Sequence, residues 1–391
     1  MSESRRNHPG NFGELVRLFL KLGVIGFGGP AATIAMMDDE VVTRRGWLDR
    51  AHFLDLVGVT NLIPGPNASE MSMHIGYERR GWAGLVTAGT CFTLPAALMT
   101  GTLGWLYVQY GTLPQVEPFL QGIKPAVLAV ILGALWRLGN AALKHWTLVP
   151  VGIAVAAMLI LGVNEVVALL GGGLFGALWV RGYAASQTGQ ESQAGLLLPL
   201  MAGSGTLLAW TAQAVSGEVP LWKLGLFFLK VGAVLYGSGY VLIAFLEGGL
   251  VQGYGWLTEE QLLDAIAIGQ FTPGPVLTTA TFIGFVLAGL PGAVVATVAI
   301  FLPSFFFVSL LNPLIPKLRR SPWAGAFLDA VNISAVALMG VVTVKLGAAV
   351  LEGSVPWVIF GLAAVTAFRF KLNAAYLVGG GALLGWVLGM L

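Results

Sequence analysis

The apolar course of this chain is broken twice by Pro-Gly-Pro, at positions 64–66 and 273–275. The two breaks belong to one internal repeat. Displaced by 209 positions, residues 19–66 lie on 228–275 without a gap. Phe19-Leu20-Lys21 falls on Phe228-Leu229-Lys230, Gly28 on Gly237, Gly46-Trp47-Leu48 on Gly255-Trp256-Leu257, and Asp55 on Asp264. Shared hydrophobicity would not bring lysine, aspartate, tryptophan and both breaks into register. After one deletion the match resumes at an offset of 208, pairing Gly81 with Gly289, Gly84 with Gly292, Pro95 with Pro303 and Gly139 with Gly347. The chain reads as a tail (1–11), a first repeat (12–182), a linker with one connecting transmembrane helix (183–220, its apolar run at 196–215) and a second repeat (221–391).

A repeat this apolar belongs in a bilayer. Hydrophobic residues make up 56% and charged residues 10%, against about 25% charged in a typical soluble domain. Runs such as 84–107, 119–138, 293–311 and 327–350 reach roughly the 20 residues that a membrane helix needs. A net charge of +2 gives nucleic acid nothing to bind, and the single Cys91 allows no intrachain disulfide. His8, His52, His74 and His145 are scattered without metal-ligand spacing, so no metal or cofactor is expected. The basic N-terminal stretch lacks a small-residue cleavage site, which argues against a removable signal peptide. An enzyme would want clustered histidines, paired carboxylates or an activated nucleophile. The nearest candidate, Asp38-Asp39, reads as a solvated ion cluster in a loop beside Arg44 and Arg45.

Basic loops give the orientation, because Lys and Arg mark the cytoplasmic side. In the first half they lie at 41–50, 78–82 and around Arg137 and Lys144; in the second, at 316–321 and 368–371. The repeat counterparts of these loops carry almost no Lys or Arg. The alternation predicts halves of opposite direction, the inverted-repeat plan of many secondary transporters. The fold class is therefore an all-α polytopic membrane protein with two homologous, inverted halves and broken, re-entrant helices.

The segments flanking the first Pro-Gly-Pro, 51–63 and 67–76, are too short to cross about 30 Å of hydrocarbon. With basic residues at both ends they predict a re-entrant hairpin turning at Pro64, Gly65 and Pro66. Asn67 is positioned to cap the returning helix, with Glu70 completing a capping box. Backbone N–H groups freed in mid-membrane are tolerable when they line a cavity, and an anion suits them best. Gly28, Gly29 and Pro30 mark a second break, and whether 11–37 crosses or folds back there is open. The second half repeats both breaks at Gly237-Ser238 and at Pro273, Gly274 and Pro275. Asn61, Asn67, Ser69, Ser238, Gln270, Thr278 and Thr279 are the polar residues nearby that suit an oxyanion. Lys21 and Lys230 either offset its charge or snorkel to the interface. Asp55, Glu70 and Asp264 are candidate proton-coupling carboxylates, with a salt bridge from Asp55 to Arg44 or Arg50 as the structural alternative. Trp47 and Trp256 read as interface anchors, and the Gly-Gly-Gly runs at 171–173 and 379–381 as close helix packing.

The runs "FLKLGVIGFGGPAATIAMMDDEVV", "RRGWLDRAHFLDL", "NLIPGPNA" and "IGYERRGWAGL" resemble the chromate ion transporter family, in its long two-domain form, over nearly the whole chain. The resemblance implies chromate efflux across a bacterial inner membrane, with sulfate as the structural mimic of the substrate. By carry-over it marks Gly28, Gly29, Pro30, Trp47, Pro64, Gly65, Pro66, Asn67, Gly76 and Tyr77. The second half departs where Ser238, Gly239 and Val276 stand, so the halves should contribute unequally. No GxxxxGK[ST] phosphate loop is present, which points to membrane potential or a proton gradient as the drive. A transporter of sulfate or another small anion, and an anion channel, are the alternatives. The expected partners are the anion and the lipid bilayer; a homodimer is left open.

Overall fold

The computed structural model describes residues 11–27, 29–111, 113–188, 219–311, 321–370 and 372–389. The described residues of the first half form helices α1 (Phe12–Ile25), α2 (Gly29–Asp38), α3 (Arg50–Thr60), α4 (Asn67–Tyr110), α5 (Glu117–Ala142), α6 (Val149–Ile160) and α7 (Glu165–Thr188). Those of the second form α8 (Leu221–Val234), α9 (Leu242–Leu246), α10 (Glu259–Phe271), α11 (Thr279–Leu311), α12 (Pro322–Val350), α13 (Ser354–Phe370) and α14 (Ala374–Gly389). Among the described residues, five stretches are long and apolar enough to cross a membrane, by length and composition: Asn67–Tyr110, Glu117–Ala142, Glu165–Gly182, Val276–Leu310 and Pro322–Val350. The chain is a multi-pass, all-helical membrane protein. The connecting helix expected at 196–215, Gly28 and the basic residues 316–320 lie outside the described residues.

Helix α4 is two helices joined at a corner. Arg80 and Gly81 leave the helical region, with Gly81 at φ 57°. The two arms then run back along each other. A Cβ at Gly76 would collide with the Gly84 carbonyl oxygen, and one at Gly84 with that of Gly76. Only glycine lets two backbones pass this closely. Helix α11 turns in the same way at Ala288–Gly289, where Gly289 has φ 61°, and Gly284 crosses Gly292 there.

The bases of the first half's hairpins share one layer. The Arg80 guanidinium lies 4.6 Å from the Phe12 ring centre, Arg79 lies 4.7 Å from that of Trp47, and His52 is 3.5 Å from Glu78. These contacts join the start of α1, the loop after α2, the start of α3 and the corner of α4. Helices α1 and α2 therefore fold back at 26–28 instead of crossing, which answers the question the sequence left open. Salt bridges reinforce this base, linking Asp38 to Arg50 at 2.8 Å and Asp39 to Arg44 at 2.8 Å. The expected ion cluster forms, but on the end of α2 and the π-turn after it rather than in a loop.

The second arm of α4 is about 45 Å long at 1.5 Å per residue. It starts in that basic layer and ends where the Tyr107 hydroxyl donates to Asp264 of α10 at 2.8 Å. Lys124 near the start of α5 is 3.4 Å from Glu260 at the same far end. At the basic end, Lys144 just past α5 meets Asp329 near the start of α12 at 2.6 Å. The second half's hairpins thus open at the end opposite to the first half's, which is the inverted arrangement.

The halves also exchange their last helices. Helix α14 packs on α5 and α7 on α12. At these crossings Gly122 meets the backbones of Gly381 and Gly385, and Gly172 and Gly173 meet Ser334 and Val331. Close packing accounts for those glycines, while Gly171 and Gly380 face open space.

Candidate functional site

All four breaks are tied together by two hydrogen bonds. The Gly65 amide donates to the Leu235 carbonyl at 2.8 Å, and the Gly274 amide to the Gly26 carbonyl at 3.0 Å. The bonds are counterparts under the repeat, since 65 corresponds to 274 and 26 to 235. Each Pro-Gly-Pro turn therefore holds the other half's broken first hairpin. Gly65 and Gly274 sit at φ 144° and 95°, where a side chain would be strained. These two amides are spent on the scaffold, contrary to the expectation that every freed amide is available to a ligand.

The donors that remain lie at the start of α4. The first intrahelical bond runs from the Glu70 amide to the Pro66 carbonyl at 3.0 Å, so the amides of Asn67, Ala68 and Ser69 precede the ladder. Pro66 is itself the N-cap and no side chain caps the helix. This corrects the Asn67–Glu70 capping box: Asn67 is already helical, and its side-chain Nδ2 donates to Asn61 Oδ1 at 2.7 Å. Ser69 is fully buried, and its hydroxyl has no partner among the described residues. Glu70 is also fully buried. Its Oε1 accepts from Ser304 of the other half at 3.3 Å, while Oε2 has no partner among the described residues.

Other sequence-derived residues have structural employment. Thr278 and Thr279 donate to the Pro275 and Val276 carbonyls at 2.9 and 2.8 Å, within their own turn. Ser238 accepts from the Tyr240 amide at 3.4 Å beside Gly237, which has φ 93°. Gly29 has φ 81° and opens α2 with Pro30. Pro64 precedes α4 within the first turn, and Pro273 and Pro275 flank Gly274 in the second. Lys21 is 2.6 Å from Glu40, and this hydrogen bond holds the Glu40 carboxyl below the usual carboxylate range. Lys230 is exposed and lies 5.7 Å from the Phe227 ring centre. Arg44 and Arg50 bind Asp39 and Asp38; Asp55 is exposed. Its counterpart Asp264 is buried, with Oδ1 unpartnered among the described residues.

Asp264 borders a cavity of about 530 Å³ at the far end. Glu117, Glu259, Glu260 and Glu352 line it with a single cation, Lys124, so the far end is acidic where the first half's base is basic. A larger groove of about 650 Å³, mostly apolar and lined by Leu94, Leu98, Trp105, Val294 and Val298 among others, runs between α4 and α11 and holds no charged side chain. Sequence reasoning missed Ser304, Tyr240 and the placement of Arg137. The guanidinium of Arg137 faces the Tyr240 hydroxyl, which donates to Gln270 at 3.2 Å.

An all-helical pair of inverted halves with broken helices tied at the centre defines a membrane transporter of the repeat-swapped kind. A family profile described as chromate transporter matches residues 13–177 and 222–386. The chain belongs to the chromate transporter family. It is 33% identical over 380 residues to the chromate transport protein of Cupriavidus metallidurans, covering 96% of this chain and 92% of that one. The chromate transport protein of Pseudomonas aeruginosa is 33% identical over 397 residues, with 97% and 93% covered. An uncharacterised transporter of Bacillus subtilis is 27% identical over 168 residues, which is 94% of that protein but 42% of this chain. That relative has the length of one half. No solved structure matches the chain.

Proposed function

We propose that this protein exports chromate across a bacterial inner membrane, the dianion passing between the four broken helices. The observation that carries the reading is the reciprocal pair of bonds, Gly65 to Leu235 and Gly274 to Gly26, which gathers all four breaks at the interface of the halves. The uncapped start of α4, with the buried Ser69 hydroxyl beside it, offers donors and a partial positive charge to an oxyanion. The two family relatives named as chromate transport proteins over nearly their full length support chromate as the substrate.

The direction follows from charge. The basic layer is cytoplasmic by the distribution of Lys and Arg. With the interior negative, a dianion moving outward gains about 4.6 kcal/mol per 100 mV, twice the single-charge value. Export then needs no ATP. The acidic far-end cavity repels the anion once it has crossed and speeds its release. Rocking of the halves about the bonded turns supplies alternating access.

Chromate accumulation in cells tests this. Cells producing the protein should hold severalfold less chromate than cells without it. Pro66→Ala, which lets α4 start in another place, should return accumulation close to the protein-free level, and Asn67→Ala should fall between. Equal accumulation with and without the protein would remove chromate export as its function.

A further inference from the structure

A dianion between the breaks needs a cation near it, and the two lysines that the sequence offered are engaged elsewhere. Lys21 is held by Glu40, and Lys230 lies exposed beside the Phe227 ring. Arg137 on α5 is exposed as well, but it has a partner at one of the breaks. Its guanidinium faces the Tyr240 hydroxyl, and among the described residues no carboxylate lies within salt-bridge distance of it.

Tyr240 stands two residues beyond Ser238, just after one break, and Gln270 three residues before Pro273, just ahead of another. The Tyr240 hydroxyl donates to Gln270 Oε1 at 3.2 Å, which turns the Gln270 amide nitrogen away from it. Gln270 is only 8% exposed, and its Nε2 has no acceptor among the described residues. A buried N–H pair left unmatched costs about 1–3 kcal/mol, a cost that a bound acceptor removes. A planar guanidinium and a primary amide both present paired N–H donors, and the edge of a tetrahedral oxyanion matches such a pair.

The pseudo-symmetry makes the placement specific. The counterparts of Tyr240 and Gln270 are Ala31 and Asn61, and Asn61 is engaged with Asn67. The counterpart of Arg137 is Lys345, which is 3.6 Å from Glu247. Only one of the two equivalent places thus has an unneutralised cation, a phenol and a buried donor together.

We infer that Arg137, Tyr240 and Gln270 form a binding subsite for a tetrahedral oxyanion, approached from the basic end. Arg137 lies about 8 Å along α5 from its basic end, and Gln270 about 17 Å along α10 from the far end. An anion arriving from the basic layer therefore meets the guanidinium first and the Gln270 amide second. The subsite deepens the proposed function and rests on it for the identity of the anion.

The test is anion-dependent thermal stabilisation of the purified full-length protein, with chromate and sulfate as probes, because bound ligand raises the melting temperature without any transport. Chromate should stabilise the unaltered protein. Arg137→Ala and Gln270→Glu should raise the chromate concentration needed by roughly tenfold to a hundredfold. Arg137→Lys should recover part of the loss, and Lys223→Ala should behave as the unaltered chain. Tyr240→Phe removes a single oxygen and should cost severalfold; it keeps the test informative if a bolder variant fails to fold. Unchanged chromate stabilisation in Arg137→Ala, Gln270→Glu and Tyr240→Phe would overturn the subsite. Stabilisation by sulfate alone, lost in the same variants, would uphold the subsite and overturn chromate as the substrate. Absence of stabilisation by either anion would overturn the subsite, while chromate accumulation in cells still judges the function separately.

Discussion

Gly84→Ala is expected to yield little or no folded protein. Its Cβ would enter the carbonyl oxygen of Gly76, a backbone atom that cannot rotate aside. Forcing even one methyl into a close-packed site costs about 1–3 kcal/mol or more, and this site is the crossing on which the returning arm of α4 depends. Gly81 makes the comparison sharp. It lies three residues away at the corner, has φ 57°, and has open space where a Cβ would go. Gly81→Ala should therefore pay only the backbone cost of holding φ 57° and ψ −144°, a conformation nearly restricted to glycine, about 1–3 kcal/mol. Gly292→Ala and Gly289→Ala should repeat the contrast in the second half, where Gly292 meets Gly284 and Gly289 is nearly free. The yield of monodisperse protein and its melting temperature are the measurements. A Gly84→Ala variant as stable as the unaltered chain would mean that the two arms do not cross there.

The second large effect is expected at Glu70, where Glu70→Gln should remove most of the pH dependence of chromate binding. The carboxyl group is fully buried beside the first turn of α4, with the Ser304 hydroxyl on it, Tyr236 near it and the buried His74 one helical turn further along α4. Its repeat counterpart is Thr279, and that of Ser304 is Ala96, so the acid stands on one side of the pseudo-axis only. A carboxylate and a dianion cannot both keep their charge at close range in a low-dielectric site. Where the buried carboxyl is ionised before the anion arrives, binding therefore takes up a proton on Glu70; where it is already neutral, binding takes up none. The sign is fixed by linkage: the bound state holds the extra proton, so binding weakens as pH rises, by roughly tenfold per unit where that proton comes from solution. Glutamine is neutral throughout and has nothing to take up. Calorimetric titration in buffers of different ionisation enthalpy counts the proton, and the difference between the two proteins cancels the titration of chromate itself. An identical pH slope in both proteins would exclude Glu70 from coupling.

Much of the fold is legible in the sequence because its signals are local and doubled. The matched breaks and the alternation of basic loops each predict a feature of the fold, whereas the corners at Gly81 and Gly289 went unread although the repeat pairs them. The site was less legible, because its contacts join distant segments. Lys21 is claimed by Glu40, 19 residues away, only once α1 and α2 fold back. Ser304 reaches Glu70 across 234 residues. Arg137 read as one more basic residue near a helix end until the second half brought Tyr240 against it. Asn67 looked like a cap because Pro-Asn commonly precedes a helix, but proline at 66 took the cap position and moved Asn67 inside. The hydrogen bonds that Thr278 and Thr279 make within their short helical turn are likewise not visible in the sequence.

The most direct test of the whole account is chromate flux in liposomes holding the purified protein, under a potassium-diffusion potential of chosen sign. If the broken helices of two inverted halves carry a dianion, chromate must move toward the positive side, reverse when the potential is reversed, and carry net charge. Flux that ignores the potential, or none in protein that is demonstrably folded, would contradict it.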